Sequence, residues 1–532
     1  LGAVLLAIAV VVPASISTFG LASYFGIAFS APAQLVPSFL LAIGVSYSVH
    51  LVTIFMTDRG EGRTPADSLE HALRHSGLPI LMTGMTTAAG LLSFMAAEMK
   101  PIQEMGMIST IGVGVMLCYS MVLLPALLSI LPLSGREVKS EGVVDRILAA
   151  LAVSSARHPW PIVIVTAVLV AGAFVGMTRL YASSDPVSWF PEDHPYRVAA
   201  DLLGERYGGT SAIEIVVDTG RENGIKDPEL MRRLEQIEVI AEEFKANGAR
   251  LSHTNSIVDI VKETHQALNE NDPEYYVIPS DPLLLSQELL LFENSGSDDL
   301  EKVVDSQFSR ARFTLRSYWT DGVYMGPFLD EFEPRVQEAI GEMADVKFTG
   351  MSSLMARTVD AVQESMIRSY ALALALITPL MILLIGSLRS GLVSMVPNLV
   401  PILLTLGLMG YAGIPLDMFT LLAGCIAIGL AVDDSIHFIS GFRRYQDQGY
   451  DPVTAVERTM QTTGRALLFT SIALTMGFAV LLMSEMLNLR QVGALTTFAI
   501  ATAFLLDVTV TPALLVLTHR KELVESTEVP SP

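Results

Sequence analysis

The chain has 532 residues, 51% of them hydrophobic and 17% charged, with a mean hydropathy of +0.48; soluble domains carry roughly 25% charged residues, so a wholly soluble protein is excluded. The formal net charge of −21 argues against nucleic-acid binding. Its two cysteines, Cys118 and Cys425, both sit in apolar blocks without a CxxC or Cys/His cluster, which supports neither a disulfide framework nor a zinc site.

Long apolar blocks alternate with one large polar block, the pattern of an α-helical polytopic membrane protein with a soluble insert. The opening "LGAVLLAIAVVVPAS" lacks a basic stretch followed by a cleavage site, so it reads as a span and not as a signal peptide. Ten segments are long enough to cross ~30 Å of hydrocarbon. They lie near 3–25, 33–56, 78–96, 104–131, 160–180, 368–386, 391–411, 418–441, 466–484 and 492–517.

One set of connections holds Arg59, Arg63, Arg74, Arg136, Lys139, Arg146, Arg157, Arg389, Arg443, Arg444, Arg458, Arg465, Arg520 and Lys521; the opposite short loops hold only Lys100 and Arg490. By the positive-inside rule the first set is expected to be cytoplasmic, with both termini inside and the polar insert outside. The expected organisation is first-half spans over 1–132, a cytoplasmic connector over 133–159, a lone span over 160–181, an extracytoplasmic α/β domain over 182–366, a five-span bundle over 367–518 and a cytoplasmic tail over 519–532.

Within the insert, 211–219 and 307–317 have strand character, 227–248 has helical period, and a helix near 328–344 precedes a strand at 345–350. The apolar stretch "PLLLSQELLLFENSG" is too short to span and is expected to serve as core before it serves as a lipid contact.

Adding 387 to a first-half position reaches a matching residue over a long run without gaps. His50 maps to His437, Gly77 to Gly464, Thr83 to Thr470, Gly90 to Gly477, Gly106 to Gly493, and "PALL" at 125–128 to "PALL" at 512–515. Two related membrane halves with the same orientation follow, an arrangement found in transporters. The first half has only the last four spans of a one-plus-five plan. The expectation is therefore that ten spans of a presumed twelve are present, and that this chain alone does not transport.

"GLAVDDSIHF" (429–438) places Asp433 and Asp434 in membrane-grade sequence, and "DVTVTPALL" places Asp507 in another span. Each charge near a bilayer centre costs roughly 2.5–3.5 kcal/mol, or about 8–10 kcal/mol for all three. The cheaper state keeps at least one of them protonated, and adjacent carboxyls exchange protons as a unit. Such a group suits a proton relay. For Asp507 a plain helix-packing hydrogen bond explains the residue equally well. His437 follows Asp433 by four residues on the same helix face; its repeat mate His50 has no acid beside it, which favours packing over relay. Ser46, Tyr47, Ser48 and Thr470 are candidate supporting hydroxyls.

The doubled one-plus-five plan, with "GLAVDDSIHF", its repeat mate "AIGVSYSVHL" (42–51), "DVTVTPALL" (507–515) and "WFPEDHPYRVAADLLGERYGG" (189–209), resembles the resistance-nodulation-division (RND) superfamily, most nearly its MMPL-type branch with hopanoid and lipid exporters. That resemblance implies an inserted ferredoxin-like porter domain and proton-driven export from a bacterial inner membrane. It also implies a relay on Asp433 and Asp434. The branch usually has an acid in the first-half position, as "GVDY"; Ser46 stands there in this chain, which argues against a symmetric two-site relay.

No GxSxG, Walker A or HExxH motif occurs, so neither an enzyme nor an ATP-driven pump is expected. No cofactor is implied. Expected partners are the lipid bilayer and a hydrophobic or lipid-like substrate, with a homo-oligomer or a periplasmic partner left open. Two rival readings stand beside the exporter: a proton-coupled helper of protein translocation with the same architecture, and a non-transporting, sterol-sensing-like membrane scaffold.

Overall fold

The structure is a computed structural model that describes residues 2–131, 143–246, 249 and 251–527. Arg136, Lys139 and residues 528–532 of the tail lie outside the described residues. The chain divides into a membrane-type unit, 1–182 with 362–532, and an inserted unit, 183–361.

The first unit begins with α1 (Gly2–Tyr24), α2 (Val36–Gly60), α3 (Pro65–Leu92), α4 (Lys100–Cys118) and α5 (Leu124–Ile130), followed by α6 (Val143–Arg157) and α7 (Pro159–Met177). Ten helical stretches of the described residues are long and apolar enough to span a membrane. Several outrun their apolar runs: the third starts at Pro65 rather than near 78, and the ninth at Pro452 rather than near 466. The added turns are polar, and their starts are set by capping. The Thr64 side chain accepts from the Asp67 backbone N–H ahead of Pro65, and Asp451 accepts from Val453 and Thr454 ahead of Pro452. A side-chain acceptor followed by Pro at the first position is a strong helix start.

Between α4 and α5, a π turn over Tyr119–Leu123 precedes Pro125, whose ring cannot follow a regular turn. The described part of the connector is helical: α6 buries Leu148, Ala152 and Ala156 against the bundle and its Asp145 accepts two hydrogen bonds from Arg465.

The inserted unit contains α8 (Pro195–Tyr207), β1 (Ser211–Asp218), α9 (Pro228–Ala246), β2 (Leu251–Asn255), α10 (Ile257–Leu268), α11 (Pro282–Asn294), β3 (Arg310–Ser317), α12 (Gly322–Ile340) and β4 (Asp345–Thr349). Its sheet runs β2-β3-β1-β4, with β1 antiparallel to both β3 and β4 and β2 antiparallel to β3. Two interleaved β-α-β units in this order make a ferredoxin-like sheet. Along β1, residues alternate between buried and part-buried, so Ile213, Ile215 and Val217 meet Leu234 and Ile237 of α9 and Phe332 and Val336 of α12 in one core.

β2 has no strand signature in the sequence because it is an edge strand with one buried apolar residue, Leu251. In α11 only one stripe is core. Leu285 and Leu289 are buried, while Leu283, Leu290 and Leu291 are more than half exposed.

From α13 (Gly350–Ile385) the chain continues through α14 (Leu388–Ser394), α15 (Val396–Ala412), α16 (Met418–Asp447), α17 (Pro452–Ala479) and α18 (Leu487–Thr527). The repeat is now visible as packing. A Cβ on Gly90 would meet the Gly429 Cα at 3.3 Å, and one on Gly477 would meet the Ala42 Cβ at 3.6 Å. These are the same contact made twice, α3 on α16 and α17 on α2. Gly106 packs on Phe94 and Leu91 as Gly493 packs on Leu481 and Phe478.

Candidate proton-relay site

Helix α16 is the most enclosed of the candidate spans, 88% buried along its apolar window. Asp417 starts it with a reciprocal cap: its carboxylate accepts from the Thr420 N–H, and the Thr420 hydroxyl accepts from the Asp417 N–H. The helix thus carries Asp433 and Asp434 into the centre of the bundle, where they are 5% and 7% exposed; Asp507 on α18 is 1% exposed.

Each acid meets hydroxyls from a different neighbour. Ser46 on α2 donates to Asp433 Oδ2 at 2.7 Å, so the first-half residue that stands where an acid would be is hydrogen-bonded to its own repeat mate. Thr470 donates to Asp434 Oδ1 at 3.1 Å, and Ser471 donates to Oδ2. Asp507 Oδ1 accepts from Ser435 and, at 2.9 Å, from Thr511. Asn398 Oδ1 of α15 lies 3.0 Å from the same Ser435 hydroxyl, whose single proton serves either it or Asp507. Among the described residues no Lys or Arg forms an ion pair with any of the three acids.

Hydroxyl partners suit an acid that changes charge. A hydroxyl donates to a carboxylate and, after rotating, accepts from a carboxylic acid. The surroundings therefore fit both protonation states without moving a helix. Asp433 Oδ1 and Asp507 Oδ2 are buried with no hydrogen-bond partner, which leaves an oxygen on each acid free to take or give a proton.

Tyr47, the repeat mate of Asp434, buries its hydroxyl beside Thr83 and Thr87 of α3. Ser48 does not reach the acids, because its hydroxyl donates to the Gly44 carbonyl one turn back. His437 Nε2 lies 3.8 Å from Asp433 Oδ1, too far for a direct hydrogen bond. Its ring stacks on that of His50, with centroids 3.7 Å apart and planes 5° from parallel.

Ser471, Ser435, Thr511 and Asn398 are not singled out by the sequence. Hydroxyls and amides are common along these helices, and only adjacency to Thr470 and Asp434 marks the first two. Thr83 faces Asp433, and it was marked by the 387-residue offset from Thr470.

The sequence profile of the MMPL family matches residues 1–177 and 329–529, which is both membrane halves and their repeat. The chain belongs to the MMPL family. It thus has an RND/MMPL-type architecture with many membrane helices, in a family whose members are transporters. MJ1562, a membrane protein of Methanocaldococcus jannaschii, is 21% identical over 391 residues, covering 71% of this chain and 95% of that one. The trehalose monomycolate exporter MmpL3 of Mycolicibacterium smegmatis is 24% identical over 186 residues, 34% of this chain and 18% of the exporter. The crystal structure of SecDF in its super-membrane-facing form aligns with a TM-score of 0.57 at 14% identity, covering 99% of this chain and 60% of that chain. The likeness to SecDF is one of fold. The MMPL chain described here spans less than a fifth of the MmpL3 length it is similar to.

Proposed function

We propose that this MMPL chain forms the proton-coupling bundle of an exporter that moves a hydrophobic or lipid-like substrate outward across a bacterial inner membrane. Its arginine-rich connections would face the cytoplasm, and the ferredoxin-like unit the periplasm. The observation that carries the reading is the set of three buried acids held by hydroxyls alone. A structural acid in a bundle gains most from a fixed cation or a fixed donor set, and these acids have neither a Lys nor an Arg partner among the described residues. Asp433 and Asp434 would carry the exchangeable protons, and Asp507, joined through Ser435, would extend the relay. MmpL3 is named as an exporter of trehalose monomycolate, a lipid-like cargo, which supports the substrate class.

The likeness to SecDF supports a second reading, in which the same proton-driven bundle assists protein translocation. Either transport reading requires exchangeable protons, whereas a lipid-sensing scaffold does not. Infrared titration of the membrane-embedded chain across neutral pH is the test. The expected result is a protonated-carboxyl band that disappears on alkalinisation and is reduced in Asp433→Asn. A spectrum without any pH-dependent carboxyl signal would refute both transport readings.

A further inference from the structure

The bundle contains a second buried polar feature that three acids do not explain. His50 and His437 are 2% and 5% exposed, lie face to face, and each leaves its Nε2 without a hydrogen-bond partner. A phenyl ring at each position would give the same stack at no polar cost. An unpaired buried polar nitrogen costs about 1–3 kcal/mol, and here the two repeat-related positions both carry one. Packing alone therefore does not account for imidazoles.

The two rings line a small vestibule between α2, α3, α16 and α17, whose other lining residues include Thr462, Thr463, His75 and Arg444. Arg444 donates to His75 Nδ1 at 2.7 Å and belongs to the arginine-rich end of the bundle. The histidines thus sit between Asp433, 3.8 Å from His437, and this vestibule.

We propose that the stacked His50–His437 pair is the proton passage between Asp433 and the vestibule at the arginine-rich end of the bundle. This inference rests on the proton-coupled reading of the acids. Protonated Asp433 gives its proton to His437 Nε2, leaving a carboxylate and an imidazolium; the imidazolium then gives its Nδ1 proton to a water molecule of the vestibule and returns to neutral. A small torsional movement or one water molecule closes the 3.8 Å gap. An imidazole suits the task because it accepts on one nitrogen and releases from the other.

The charged and titratable groups facing the pair are Asp433 and Arg444 from α16 and His75 from α3; α2 contributes His50 itself, and α17 only the two threonine hydroxyls.

The test is carboxyl proton exchange after a pH jump, followed by infrared absorption on the full chain in liposomes. The double variant His50→Phe with His437→Phe preserves the stack, and its melting temperature checks the fold. It is expected to keep the carboxyl band at equilibrium but to exchange about a hundredfold more slowly, the usual contribution of a positioned imidazole. His437→Ala is expected to slow likewise and to recover when free imidazole is added, which a merely structural role would not produce. If Asp433→Asn reduces the band while both histidine variants exchange at the wild-type rate, the histidine passage is overturned and the carboxyl reading stands. If Asp433→Asn leaves the pH-dependent band unaltered, the reading of Asp433 falls, and this inference with it.

Discussion

At the scale of single residues, Ser46 and Asp433 are the informative pair. The repeat sets two equivalent positions in hydrogen-bond contact, and only one of them carries an acid. Restoring the other gives a direct prediction. Ser46→Asp would set two carboxyls within hydrogen-bond distance, and carboxyls that close cannot both ionise, so they share a proton. Infrared titration should then show a protonated-carboxyl band that persists to more alkaline pH than in the wild type. A band lost at the wild-type pH would mean the two side chains do not face each other. The acids themselves are legible in sequence because charges are rare in membrane spans. Their donors are not, because a serine on a bundle helix looks the same whether it bonds its own backbone, as Ser48 does, or a carboxylate across a helix interface, as Ser46 does.

At the scale of elements, apolar length announces the spans but not where their helices begin. The stretch 65–77 is polar, and what makes it helical is a cap at Thr64 and a proline at the first position. Its repeat mate Asp451 does the same for α17 with a charged acceptor. The Thr454 side chain, and then the Thr454 and Val453 backbone N–H groups, hold the Asp451 carboxyl below the usual range against a smaller opposing effect of burial. A depressed value means that the contribution is present at neutral pH and is lost as pH falls through the folded-state value, below about 4. Asp451→Ala is expected to cost about 1 kcal/mol at pH 7, with a smaller cost in acid; Asp451→Asn should retain most of the cap. Melting temperatures at the two pH values check this, and an equal loss at both would rule out a charged cap.

A closer interaction joins α7 to α15. A Cβ on Gly410 would fall against the Gly176 carbonyl oxygen, and one on Gly407 would fall 2.6 Å from the Ala173 Cα. Gly410→Leu is expected to force the two helices apart and to destabilise the bundle by at least the ~1–3 kcal/mol of an overpacked core. Gly413, a few residues on, has open space around it, although its φ of 66° favours glycine. Gly413→Asn is therefore the control that should be nearly neutral, since Asn tolerates that conformation. Comparable losses of thermal stability in the two variants would count against close helix contact as the cause. Small residues at such contacts are legible only as a pattern, because glycine frequency alone does not say which helix a given glycine meets.

At the scale of the whole molecule, the chain is two units with separate cores. The inserted unit closes its own core around Phe332, which is fully buried among Ile213, Ile215, Val336 and Phe348. The membrane-type unit draws on a different set, with Ile377, Val432, Phe438 and Leu467 at its centre. Cores that share no residues should fail separately. Phe332→Ala removes most of a buried aromatic side chain and is expected to destabilise the inserted unit by about 3–5 kcal/mol, a large share of the stability of a domain this size. In membrane-embedded chain, limited proteolysis should then cut within 183–361 at a lower temperature than in the wild type. The pH-dependent carboxyl signal of Asp433 should persist at that temperature, because its donor Ser46 and its neighbour His437 both belong to the other unit. Loss of that signal together with the insert would mean that the long α13 helix, Gly350–Ile385, transmits unfolding from one core to the other. The acids would then depend on the insert for their geometry, and proton exchange and the inserted domain would have to be treated as one cooperative system.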